Sequence, residues 1–149
     1  MLLRHEGFRS LCLARDLLRQ VREPSPTIAE VARRLGISPF HFIRQFEAIF
    51  GVTPHQFRIE ARLHAAKKLL AAGESVTDVC MAVGFSSLGT FSALFTRRVG
   101  ESPSIFQRRI RERMKHDPRA LTPGCLTLMM HLPPPPVRPR SIAVFKKHR

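Results

Sequence analysis

The chain contains the same pattern twice. Residues 27–57, TIAEVARRLGISPFHFIRQFEAIFGVTPHQF, lie against residues 75–106, SVTDVCMAVGFSSLGTFSALFTRRVGESPSIF. Thr27 pairs with Ser75, Ile28 with Val76, Glu30 with Asp78, Val31 with Val79, Ala32 with Cys80 and Gly36 with Gly84. After one extra residue in the second copy, Phe42 pairs with Phe91, Phe46 with Phe95, Gly51 with Gly100, Pro54 with Pro103 and Phe57 with Phe106. A match sustained along a whole segment means one structural unit used twice.

Each copy encodes two short helices around a tight turn. Thr27 or Ser75 is placed to cap the first helix, and Glu30 sits at the capping-box spacing from Thr27. Val31 and Leu35, or Val79 and Val83, face inward. Gly36 or Gly84 ends that helix, where a left-handed backbone costs glycine least. Ser38 or Ser86 is placed to cap the second helix. Phe42 and Phe46, or Phe91 and Phe95, lie four apart and share a buried face. This is a helix-turn-helix, whose second helix suits the major groove of DNA.

The segment between the copies, PHQFRIEARLHAAKKLLAAG, opens on Pro54 and closes on Gly73, the order that a helix prefers. Roughly 18 residues at 1.5 Å rise make a rod of about 27 Å. With the width of each motif added, the two recognition helices come ~34 Å apart, one turn of duplex. One chain then does what two subunits of a dimeric repressor do, on a site that need not be palindromic.

Flanking segments are less regular. Phe8, Leu11, Ala14, Leu18 and Val21 predict an amphipathic helix over 8–22, stopped by Glu23-Pro24-Ser25-Pro26. Near Asp117–Pro118 the texture changes, so a domain over 1–116 and a basic, proline-rich tail over 117–149 are expected. The tail carries four prolines, Pro133 to Pro136, between the strand-like runs CLTLMM and SIAVF.

Charge narrows the partner. Lys and Arg number 25 against 11 Asp and Glu, a formal charge of +14, which calls for an anionic partner such as double-stranded DNA. Trp and Tyr are absent while Phe occurs 11 times, so the aromatic rings are mainly core material. No apolar run approaches the ~18–20 residues of a membrane span, and Arg4 interrupts any signal-peptide core. Three scattered cysteines form no disulfide framework, and Cys80, standing where Ala32 stands, reads as core filler. A reduced, cytoplasmic, nucleoid-associated setting and no membrane partner are expected. The seven histidines form no HxxxH or HExxH, and no phosphate loop or nucleophile elbow occurs. No enzyme activity, cofactor or metal is expected.

The paired motifs resemble the DNA-binding domain of the AraC/XylS transcriptional regulators. The resemblance rests also on Gly51-Val52-Thr53-Pro54 and Gly100-Glu101-Ser102-Pro103, on Arg62-Leu63-His64-Ala65-Ala66-Lys67-Lys68-Leu69-Leu70, and on the closing Pro103-Ser104-Ile105-Phe106-Gln107-Arg108. It covers residues 8 to about 113. It implies an all-α, homeodomain-like fold of about seven helices, with two helix-turn-helix subdomains on a long linker helix. DNA binding through helices 3 and 6, control of transcription and contact with RNA polymerase are also implied. Most members carry a separate effector or dimerisation domain, and the present chain looks like the small stand-alone members that bind as monomers.

On the first recognition helix, residues 38–50, the expected exposed face is Pro39, Phe40, His41, Ile43, Arg44 and, at its margin, Glu47. Arg44 suits a bidentate contact to guanine, and His41 suits a base edge or a phosphate. Phe40 stands where the family often sets a large side chain against bases, to pack on a thymine methyl; its alternative is a place in the core. The second recognition helix, residues 86–99, offers Ser87, Leu88, Gly89, Thr90, Ala93 and Arg97. Ala93 stands where Arg44 stands and Gly89 where Phe40 stands, so few side chains there make a bidentate base contact. Ser87, Thr90, Arg97 and Arg98 are expected to hold phosphates instead, with DNA shape contributing. Arg34 and Arg62 add basic contacts from the first motif and the linker. Arg108, Arg109, Arg111, Arg113 and Lys115 either attract phosphate or complement a helix dipole. The function read from these residues is a sequence-specific regulator, with an architectural DNA binder as the alternative.

Overall fold

Short polar residues set the helix starts. The computed structural model describes residues 5–21 and 24–116, in which seven helices and no strand occur. They are α1 (His5–Arg19), α2 (Ile28–Arg34), α3 (Pro39–Phe50), α4 (Pro54–Ala71), α5 (Val76–Ala82), α6 (Leu88–Val99) and α7 (Pro103–His116). The tail expected over 117–149 lies outside the described residues.

Caps form at the places that the sequence marks, with one correction. The Thr27 hydroxyl accepts from the Glu30 N–H at 3.1 Å, and the Glu30 carboxylate accepts from the Thr27 N–H at 2.6 Å. The Thr27 N–H bonded to the carboxylate, with the Thr27 side chain, Arg33 and Arg34 nearby, holds the Glu30 carboxyl below the ordinary glutamate range. Thr53 and Gln56 form a second such box at the head of α4. The cap of α6 is Ser87, not Ser86: its side chain accepts from the Thr90 N–H at 3.3 Å. The extra residue of the second copy lengthens the turn, so the cap shifts with the phenylalanines. Gly36 and Gly84 take positive φ, 69° and 81°, as those turns require.

Each copy buries its own core. Leu11, Ala14 and Leu18 of α1 pack with Val31, Ala32, Phe42 and Phe46. Leu63, Ala66 and Leu70 of α4 pack with Val79, Cys80, Val83, Phe91, Phe95, Phe106 and Ile110. The ring geometry repeats as well. Phe46 meets Phe57 at 5.7 Å and 67°, and Phe95 meets Phe106 at 5.6 Å and 74°, both edge-to-face. Cys80 is core material, and burial pushes its thiol pKa up.

The first helix departs from its expected bounds. It runs from His5 to Arg19 rather than over 8–22, so Val21 lies beyond its end and packs against the second core. Phe8 is 48% exposed instead of facing inward, because the buried stripe of α1 begins at Leu11. Both α1 and α7 pack on α4, which is the shared beam of the two subdomains.

Candidate nucleic-acid interface

The buried phenylalanines decide which face each recognition helix shows. Phe42 and Phe46 are fully buried, so a 100° step per residue turns Phe40 and Arg44 to the opposite side. Phe40 is 69% exposed, which settles its place outside the core. The Arg44 guanidinium carbon lies 5.7 Å from the Phe40 ring centroid, within cation–π range. One turn around, His41 Nε2 lies 2.9 Å from the amide nitrogen of Gln45. His41 and Glu47 are exposed and Ile43 is half-buried. Pro39 opens α3 and Ser38 caps it, accepting from the His41 N–H at 3.2 Å. The head of α3 thus brings together an aromatic plane, a stacked guanidinium and an imidazole–amide pair, all on a solvent-facing surface.

The second helix presents another chemistry. Leu88 is 44% exposed, and Gly89, Thr90, Ala93 and Arg97 are all exposed. Ser87 spends its oxygen as a cap, and Thr96 donates its hydroxyl to the Ser92 carbonyl at 2.7 Å. Arg98 turns back toward the linker: its guanidinium lies 3.0 Å from a Glu60 carboxylate oxygen. Sequence reading missed Glu60, because no local spacing rule connects residues in two different helices.

The remaining candidates separate. Arg34 is exposed in the last turn of α2. Arg62 is half-buried, with its guanidinium carbon 5.7 Å from the Phe85 ring centroid, so it ties α4 to the turn before α6. Arg109, from the closing basic cluster, pairs with Glu101 and covers Phe106. Arg108 and Arg111 stay exposed. Among the described residues no helix is long and apolar enough to cross a membrane.

Comparison with known proteins places this geometry. A family model described as a helix-turn-helix domain matches residues 31–109. The MmsAB operon regulatory protein of Pseudomonas aeruginosa is 32% identical over 129 residues, an alignment covering 74% of this chain and 42% of that protein. The chain therefore spans less than half the length of that relative. Among solved structures, a probable AraC family transcriptional regulator from Rhodopseudomonas palustris is similar at a TM-score of 0.62 and 27% identity, over 68% of this chain and 97% of that one. The DNA-binding domain of AdpA, a global transcriptional factor solved in complex with a target DNA, matches at a TM-score of 0.61 and 26% identity, over 74% of this chain and 96% of that one.

Proposed function

The chain belongs to the AraC-type helix-turn-helix family, and from that premise we propose that it is a transcription regulator that sets α3 and α6 into successive major grooves of one duplex. The observation that carries this reading is the exposed Phe40–Arg44 pair at the head of α3. Arg44 reads guanine through two parallel hydrogen bonds, and Phe40 packs on a thymine methyl beside it. His41 adds a base-edge or phosphate contact. On α6, Ser87 through its hydroxyl proton, Thr90 and Arg97 hold phosphates, and Arg98 joins them once it leaves Glu60. Arg34 adds a phosphate contact from α2, and Arg62 contributes charge while bracing the turn at Phe85.

A rod of 18 residues spans about 27 Å, which suits two grooves on one side of the duplex. The chain binds as a monomer through its 1–116 domain, and the 117–149 tail adds non-specific charge. Regulation follows from placing this domain where it contacts RNA polymerase, as an activator, within the cytoplasmic nucleoid. An architectural binder would need no such base-reading head, and the relatives are named as regulators rather than as architectural proteins.

Selection from random duplexes, followed by competition at fixed salt, tests the reading. A regulator prefers its selected site by about 10³ or more over bulk DNA, and footprinting shows two adjacent grooves covered. Equal affinity for every sequence would overturn it.

A further inference from the structure

The α6 face is low in relief as well as poor in hydrogen-bonding groups. Gly89 has ordinary helical backbone, and a Cβ added there would meet only the Ser87 oxygen, at 3.7 Å, an ordinary contact. Unlike Gly84 or Gly100, it is required by neither a turn nor packing. Alanine forms helix more readily, so the fold gives no reason for glycine at this position. In the other copy the equivalent residue is Phe40, and the equivalent of Ala93 is Arg44. The large readers of α3 are thus replaced by a hydrogen and a methyl. Beside them stands Leu88, 44% exposed and apolar, on a chain of formal charge +14. The Thr96 hydroxyl is committed to its own helix.

We infer that α6 seats close to the groove floor and discriminates by apolar contact, with Leu88 and Ala93 against thymine C5-methyl groups and Gly89 giving the clearance. The inference rests on the regulator reading and deepens it. The two half-sites are then chosen by different chemistry. Donor and acceptor edges are matched under α3, and methyl groups under α6, while Thr90 and Arg97 hold the flanking phosphates.

The test uses the full chain and the duplex recovered by selection, with footprinting to place α6. Deoxyuridine replaces thymine one position at a time, removing only the methyl. Each contacted methyl under α6 should cost about fourfold in affinity, with no change for thymines in the flanks. In parallel, Gly89→Ala should raise the melting temperature yet weaken binding several-fold, a pairing of signs that a purely structural glycine does not give. The double variant Gly89→Phe with Ala93→Arg should make the second half-site prefer the sequence of the first. A selected duplex without thymine under α6, no loss on uracil substitution, or unchanged binding by Gly89→Ala would overturn this inference alone. Failure to select any preferred duplex would overturn the regulator reading and this inference with it.

Discussion

Gln107 of α7 donates to the carbonyl of Glu74 at 2.6 Å, just ahead of the Ser75 cap of α5. In the repeat alignment Gln107 corresponds to Arg58, and Glu74 to Pro26. Arg58 donates to the Pro26 carbonyl, just ahead of the Thr27 cap of α2. Each copy therefore closes in the same way: the helix after the recognition helix reaches back and satisfies the carbonyl before the first cap. Gln107 also reaches the Leu70 carbonyl at 3.3 Å, near the end of the linker helix.

This closure predicts a stability effect. Gln107→Ala should destabilise the chain by about 1 kcal/mol, since it removes a side-chain donor from backbone acceptors that water partly re-solvates. Urea titration with a secondary-structure signal checks it. The midpoint should fall while the slope stays unchanged.

Two arginines should fail differently. Arg44→Ala should lose about 1–3 kcal/mol of discrimination at one base pair under α3. Arg97→Ala should weaken binding to all sequences alike and reduce the salt slope by about one. Binding isotherms at several salt concentrations, on selected and scrambled duplexes, separate the two.

On the proposed reading, Glu60 competes with phosphate for Arg98. Both side chains are about one-third exposed, so the pair itself adds little stability, at most about 1 kcal/mol. Glu60→Gln frees the guanidinium without removing it. Affinity for non-specific DNA should rise and the salt slope should steepen by about one, as one more counterion is released. Filter binding or fluorescence titration across a salt series measures this.

Glu30 sets an acid limb. Its folded pKa lies below its unfolded value, because the Thr27 backbone N–H and hydroxyl hydrogen-bond the carboxylate and Arg33 and Arg34 attract it. The contribution is therefore fully present above the ordinary glutamate pKa of about 4.3 and is lost as pH falls through the lower folded value. Denaturation midpoints measured between neutral pH and pH 3 should fall less steeply in Glu30→Gln than in the parent chain.

Local chemistry by itself settled the order of the helices, the caps at Thr27, Ser38 and Ser75 and the paired phenylalanines of the cores, while the cap of α6 and the bounds of α1 had to be corrected. The capping box at Thr27, the glycine turns and the paired phenylalanines act over three or four residues, so their spacing carries their meaning. The repeat then fixed two such units, and the formal charge of +14 on the whole chain pointed to an anionic partner. Distant contacts settled which arginines stay available. Charge and residue type are the same for Arg44, Arg62, Arg97 and Arg98, yet only folding sets Arg98 beside Glu60 and Arg62 over Phe85. The same holds for Phe8, whose spacing fits the buried stripe but whose turn of α1 precedes the core. A period along the chain states which face a side chain occupies, and only the packing of helices far apart in sequence states what lies opposite that face.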